Sequence, residues 1–503
     1  MASSFSEHWK NLNWKKFRKN LFRLQVRLFK AYSIGDTKRA RQLQKLILKS
    51  HSARMLAIRQ VTQLNKGKKT AGVDGKKSLN FEERFELNEL LKTNVLRWKH
   101  SKLREIAISK KDGTSRILKI PTIFDRAWQC LIKYAIEPAH EAIFHARNYG
   151  FRPGRSTHDA QKYVFENLAD KHKNKNNTEK RVIELDIEKC FDRISHNKLM
   201  ELTFAPQNIK NGLWRCLKIG TNPNFPEQGT PQGGCASPLL ANIALHGIEN
   251  IHASVRYADD MVFFLKPKDD AEKILEKVRL FLAERGLNIK ASKTKIVKAT
   301  DGFDFLGWHF KVQKKGKFRC VPRTENFKTF REKVKNIVNH SNYGAEIKAT
   351  KLASIVRGWR NYHRYSKMDG SRFSLWFLSK RTLQVFRKEK NMDKQLAIEL
   401  VNKAFPNVPY SENKHVIVKG DKSIFDGDII YWSERNSKEY NGITAKLLTK
   451  QKHTCGCCGM KFIHGEEIHL HHIDGNHNNW KPKNLVVIHQ SCHQYIHMKQ
   501  SES

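Results

Sequence analysis

Apolar positions recur at helical spacing near the start of the chain: Leu21, Leu24 and Leu28, then Leu43, Leu46 and Ile47. That spacing predicts amphipathic helices. The turn signal Thr70-Ala71-Gly72-Val73-Asp74-Gly75 closes them off. The period then shortens. Residues 106–109 and 116–121 flank a Lys-Asp-Gly turn and predict a β-hairpin, with a helix over 128–136. A polar surface loop at 170–181 leads into the apolar run Val182-Ile183-Glu184-Leu185, and a second strand-like stretch covers 255–264. An amphipathic helix (Ile274, Val278, Phe281, Leu282) stops at Gly286, a strand follows at 294–297, and 303–310 with 317–321 form another hairpin. This alternation of strands and helices predicts an α+β chain with a ferredoxin-like sheet.

Size and charge narrow the picture. At 503 residues the chain is too long for one hydrophobic core and predicts several domains. Lys and Arg number 94 against 49 Asp and Glu, a net charge of +45 that a polyanion such as nucleic acid would neutralise. The basic residues are spread over the whole length, and no apolar run approaches the roughly 20 residues that span a bilayer, so a membrane partner is not expected. Residues 1–70 carry 18 Lys/Arg and two acids, which suits an RNA-binding arm. Residues 311–390 carry 22 Lys/Arg and five acids, interleaved with Trp359, Tyr362, Tyr365, Phe373 and Trp376. Cationic and stacking groups together suit RNA. Cys130, Cys190, Cys216, Cys235 and Cys320 are scattered singly, and four further cysteines crowd the C-terminus. That distribution predicts a reducing compartment and one metal site rather than a disulfide framework. No secretory signal is expected, since Glu7 comes early and no apolar stretch follows it.

Three carboxylates carry the candidate chemistry. Asp259 and Asp260 sit inside the strand-like stretch Val255-Arg256-Tyr257-Ala258-Asp259-Asp260, and Asp186 ends the apolar run before Cys190-Phe191-Asp192. Like charges so placed repel unless a cation lies between them. Their convergence suits a two-Mg²⁺ centre for nucleotidyl transfer. Phe191 would place a ring beside the incoming sugar, clash with a 2′-hydroxyl and favour deoxynucleotides. The loop Gly229-Thr230-Pro231-Gln232-Gly233-Gly234 would bring Gln232 close to the template–nucleotide pair. In Phe151-Arg152-Pro153-Gly154-Arg155-Ser156, Arg152 and Arg155 offer guanidiniums to template or triphosphate oxygens.

In this order, Asp186-x4-Phe191, Thr-Pro-Gln-Gly-Gly, Tyr-Ala-Asp-Asp and Phe305-Leu306-Gly307 resemble the successive blocks of a reverse transcriptase. The Phe-Arg-Pro-Gly-Arg-Ser block, Ala-Gly-Val-Asp-Gly and Gly358-Trp359-Arg360-Asn361-Tyr362 narrow the resemblance to group II intron-encoded reverse transcriptase/maturases. The resemblance implies a right-hand polymerase of fingers and palm, a helical thumb or maturase domain, and a ribonucleoprotein with group II intron RNA. It assigns metal binding to Asp186, Asp259 and Asp260, the steric gate to Phe191 and the nucleotide pocket to Gln232. It also places Arg116 and Arg126 in the block that contacts the triphosphate. Lys293 or Lys295 is either a proton donor to pyrophosphate or a surface lysine.

A second module ends the chain. Cys455-x2-Cys458 and His489-x2-Cys492 have the spacing of a structural tetrahedral Zn²⁺ site, and a domain of about 50 residues needs such a staple. Between these pairs His471-His472 closes a strand, while His493 and His497 lie one helical turn apart. The set resembles the HNH, or ββα-metal, nuclease motif. That resemblance implies His472 as general base, His471, His493 and His497 as ligands of a catalytic metal, and Asn484 as the residue orienting the loop. One departure is His489, where the motif usually has cysteine. A zinc-stabilised DNA-binding knuckle without cleavage is the alternative.

The expected division is a basic helical extension (1–70), fingers and palm (71–310), thumb (311–404), a DNA-binding connector (405–445) and the HNH module (446–503). The expected activity is RNA-directed DNA polymerase, splicing maturase and DNA endonuclease acting in retrohoming by target-primed reverse transcription. Its partners are intron RNA, a DNA target and dNTPs, and its place the bacterial cytoplasm with the nucleoid, or an organelle. The rival classes are an RNA-binding splicing cofactor with vestigial sites and a polymerase that makes RNA. Oligomeric state is left open.

Overall fold

The computed structural model describes the chain except residues 1, 66–69, 110–112, 114, 170–175, 221–224, 369–371, 438–439, 441, 463–467, 477–478, 491, 494–495 and 497–503, and the side chains of 2–4, 116, 176, 436 and 437. Its first strands, β1 (Arg104–Ser109) and β2 (Ser115–Ile120), form the expected antiparallel hairpin. The central sheet joins β3 (Arg181–Leu185), β4 (Ser254–Tyr257), β5 (Asp260–Leu265) and β6 (Lys295–Lys298) in the order β4-β5-β3-β6, all antiparallel. Helices lie between β3 and β4 and between β5 and β6, while β4 and β5 are a direct hairpin. This is the β-α-β-β-α-β arrangement expected from the sequence.

Strands β3, β4 and β5 are largely buried on both faces and read as mostly apolar runs, whereas β6 at the edge of the sheet is mostly exposed. Ile183, Leu185, Met261, Phe263 and Leu265 pack into one core with the surrounding helices. Val182, Val255, Val262 and Phe264 alternate with them and face a second core. That second core includes a three-stranded meander, β7 (Phe303–Phe305), β8 (Trp308–Val312) and β9 (Phe318–Pro322). The sequence predicted one strand over 303–310. Leu306 and Gly307 instead take φ of 48° and 81° and close a two-residue turn between Phe305 and Trp308. Positive φ at both central positions matches the twist of a tight hairpin.

The N-terminal helices are not a separate arm. Leu21, Leu28, Leu43 and Ile47 share one core with Ile132 of the helix Ile123–Glu141 and with residues of β3 and β5. Gln25 donates to Tyr134 O and Gln44 to Phe204 O, tying two of these helices to the body. The helices Thr324–Val338, Ala345–Tyr362, Trp376–Phe386 and Lys394–Ala404 bury Phe330, Val334, Leu352, Val356, Leu378 and Phe386 in a core of their own. Among the described residues no helix is long and apolar enough to cross a membrane.

The stretch beyond residue 405 is also more ordered than its composition predicts. Val408, Val418, Phe425 and Trp432 are buried, and the segment includes a helix, Ile429–Ser437. His415 Nε2, Val418 N and Arg435 Nη2 all donate to Asp159 Oδ1, at 3.0, 3.0 and 2.6 Å. Ser423 Oγ donates to Glu141, and Arg155 donates to Gly420 O and Lys422 O. The connector is a strap bound to the body of the molecule through Asp159, Glu141 and Arg155.

Candidate polymerase site and C-terminal metal centre

The register of the central sheet assembles the carboxylates. Leu185 pairs with Met261, which leaves Asp186 and Asp260 as the next residues on neighbouring strands. Tyr257 pairs with Asp260, so Ala258 and Asp259 form the turn of the β4–β5 hairpin. Desolvation by the surrounding protein, then the charges of Asp259 and Asp186, push the Asp260 carboxyl up to about 6, while Lys293 pulls the other way. Lys293 Nζ lies 3.6 Å from Asp186 Oδ2. Three acids and one lysine therefore occupy one electrostatic site. Hard oxygen donors crowded enough to hold a proton fit Mg²⁺, which would relieve the repulsion by sitting among them.

A buried polar network holds the hairpin turn. Arg256 is fully buried; its Nε donates to Glu249 at 2.6 Å and its Nη1 to Asn242 Oδ1 at 2.9 Å and Ala258 O at 3.1 Å. Asn242 Nδ2 in turn donates to Gly150 O at 2.8 Å. Ala258 adopts φ 61°, a conformation L-residues with a side chain rarely take. Gly150 packs so closely that a Cβ there would lie 2.1 Å from Ala258 N. Sequence reasoning missed Gly150, Asn242, Glu249 and Arg256. Arg256 breaks an apolar strand run, and that anomaly was the only signal.

Phe191 is half-buried on the short helix Cys190–Arg193, its ring 6.4 Å from that of Phe151 and nearly perpendicular to it. Phe151 was not singled out, yet it takes φ 59° with its ring exposed beside Phe191. The glycine-rich loop fits between this helix and the β1–β2 hairpin. Thr230 N donates to Phe191 O at 2.6 Å, Lys119 N to Gln232 O at 2.9 Å and Gln232 Nε2 to Asp192 Oδ1 at 2.8 Å. At Gly233 (φ 136°) a Cβ would meet Lys119 O at 2.9 Å, so the close approach requires glycine.

The arginines are distributed differently from expectation. Arg152 is withdrawn from any substrate: its guanidinium is buried, pairs with both Glu141 oxygens at 2.9 and 2.8 Å, and donates to His145 O and Asn148 O. Arg155 donates to Ala146 O and to the strap, and burial pushes its pKa down to about 10. A charged group this buried needs fixed partners, which is why the block is structural. Arg126 is buried too, donating from Nε to Pro121 O and from Nη2 to Thr70 O. Arg116 lies on β2 opposite Ile108, and its side chain is outside the described residues.

At the C-terminus, ligand atoms of Cys455, Cys458, His489 and Cys492 lie within 4.8 Å of one another. Cys458 Sγ is 3.4 Å and Cys492 Sγ 3.9 Å from His489 Nδ1. Cys457 is exposed and outside this set. Three thiols and one imidazole gathered around a common point fit the four-coordinate donor set of Zn²⁺. Strands β10 (Ile468–His472) and β11 (Leu485–His489) pair antiparallel beside it. His471 approaches His493, ring centroids 5.2 Å apart, and His469, two residues earlier, lies 5.0 Å from His493. His469 was missed, although its i,i+2 spacing to His471 puts both on one face of the strand. His472 packs against Trp480. Asn484 accepts from Asp474 N and donates to Asp474 Oδ1 and Asn479 O, bracing the loop. His497 lies outside the described residues.

Comparison with known proteins gives family matches over parts of residues 9–395. The family described as reverse transcriptase (RNA-dependent DNA polymerase) matches residues 108–310, the N-terminal domain of reverse transcriptase matches 9–91, and the group II intron maturase-specific domain matches 327–395. Maturase-like protein 1 of Euglena gracilis is 39% identical over 463 residues, covering 90% of this chain and 98% of its own. Its counterpart in Euglena longa is 38% identical, covering 78% and 86%. Group II intron-encoded protein LtrA of Lactococcus lactis subsp. cremoris is 26% identical over 42% of this chain and 47% of its own. Euglena and a bacterium both carry such relatives, so the likeness fixes no compartment. With the right-hand polymerase fold and its adjoining maturase domain, the chain belongs to the intron-encoded reverse transcriptase/maturase family, RNA-directed DNA polymerases with a splicing role.

Proposed function

We propose that the protein couples three activities on one mobile intron: folding of the intron RNA, nicking of a DNA target, and copying of the RNA from the nicked end. The observation that carries the polymerase assignment is the meeting of Asp186, Asp259 and Asp260, with the Asp260 carboxyl pushed up to about 6 by its surroundings. Bound Mg²⁺ would activate the primer 3′-hydroxyl and stabilise the leaving pyrophosphate. Around it Phe191 excludes a 2′-hydroxyl, Gln232 braces the pocket through Asp192, and Lys293 sits where a proton donor to pyrophosphate is needed. Residues 71–310 serve as fingers and palm and 311–404 as the thumb that holds RNA.

The C-terminal module (446–503) acts as a zinc-stapled HNH endonuclease, with His472 as general base and His471, His493 and His497 around a catalytic divalent ion. The paired strands, the braced loop and the approach of His471 to His493 support that reading. Primer extension on an RNA template tests the polymerase: native protein extends with dNTPs, and Asp259→Ala/Asp260→Ala does not while still binding RNA. Equal extension by both would refute the metal assignment. His472→Ala abolishes nicking of a DNA target and leaves extension intact; retained nicking would return the module to a binding knuckle.

A further inference from the structure

The thumb presents two aromatic rings that its own core does not use. Trp376 and Phe377 open the helix Trp376–Phe386 and are 55% and 71% exposed, whereas Leu375 and Leu378 beside them are buried in the thumb core. The rings are 4.8 Å apart at 81°, edge to face, and form a corner. Ser379 Oγ donates to Trp376 O, and Trp376 N donates to Ser374 Oγ, so the backbone beneath the corner is fixed. Lys380 Nζ stands 4.8 Å over the indole.

What would cover such a corner follows from the charge around it. The helix bears Lys380 and Arg381 and no acidic residue, within a region of 22 basic and five acidic residues. A second copy of a chain with net charge +45 would be repelled from this face. Flat rings in a cationic field match a nucleobase with its phosphate, since every base offers a π-face and every nucleotide a negative charge.

We infer that Trp376 and Phe377 form a stacking platform for one unpaired RNA base, whose phosphate is met by Lys380 and Arg381. This rests on RNA being the partner of the thumb and adds to it a contact that reads a base rather than backbone charge. The experiment uses the full-length protein and two labelled single-stranded RNA oligonucleotides, one with bases and one with abasic sugars on the same phosphate backbone. Binding is followed by anisotropy across a salt series. Trp376→Ala/Phe377→Ala is expected to weaken binding of the base-containing strand about ten-fold, the size of one base–aromatic stack, and to leave the abasic strand and the salt slope unchanged. Trp376→Phe/Phe377→Tyr is expected to restore binding, which a folding defect would not allow. Equal losses on both strands, no loss, or a change of oligomeric state in the alanine variant would each overturn the platform. Should the native protein bind neither strand, the RNA-binding reading of the thumb fails first and the platform with it.

Discussion

Asp260 shows what the site costs when no cation is present. An ordinary carboxylate titrates near 3.9 in an unfolded chain, whereas this one is pushed up to about 6 by desolvation and by Asp259 and Asp186. The folded state therefore holds the proton more tightly than the unfolded state, and stability falls as pH rises from about 4 through about 6. In buffer without divalent ions, Asp260→Asn should melt higher than the native protein above pH 6. The difference should vanish below pH 4, and added Mg²⁺ should stabilise only the native protein; thermal melting across pH checks both. Gly150 works by geometry instead. Gly150→Ala would drive a methyl group into the backbone of the Asp-Asp turn, 2.1 Å from Ala258 N. Overpacking of that kind typically costs about 1–3 kcal/mol. The expected outcome is a variant that melts a few degrees lower and loses most primer extension, measured by calorimetry and by single-nucleotide addition.

At the level of elements, the strap depends on Asp159, whose one oxygen receives three donors from it. Burial opposes its charge, but His415, Arg435 and the Ser156 backbone outweigh burial and hold the carboxyl below the ordinary range. For a carboxylate so depressed, the stabilisation is fully present above about pH 4 and is lost as pH falls through the lower folded value. Asp159→Asn removes the charge at every pH and leaves the buried end of Arg435 without its counter-ion. A loss of about 3 kcal/mol is expected, since breaking a buried pair from one side costs that much. Limited proteolysis at pH 7 should cut the variant within residues 411–435 and spare the native strap, while native protein should become equally sensitive only below pH 4.

For the whole molecule the dominant quantity is charge. A surplus of 45 positive charges is spread along the whole sequence, so RNA binding should release many counterions. Intron RNA affinity should fall by at least a hundred-fold between about 50 and 200 mM salt, read as a linear plot of log affinity against log salt. A shallow plot would mean that most of these cations face solvent. The burial of Arg152, Arg155 and Arg126 already shows that some basic residues serve the fold rather than the partner.

Sequence alone pointed to most of the strands and helices, to the three acids that the sheet register brings together, to the cluster of Cys455, Cys458, His489 and Cys492, and to the strongly basic charge of the chain. Each is a local pattern: alternation marks a strand, short spacing marks a metal clip, and charge sums without knowledge of the fold. Tertiary structure decided what the arginines of Phe-Arg-Pro-Gly-Arg-Ser do, because a guanidinium reads the same whether it meets a phosphate or the buried Glu141. It also decided that the N-terminal helices join the central core and that a Pro- and Ser-containing connector binds the body as a strap. The helix and strap contacts join residues more than a hundred positions apart, so no short window contains both partners; Glu141 stands only 11 residues before Arg152, but nothing local in the chain says that the pair will be buried.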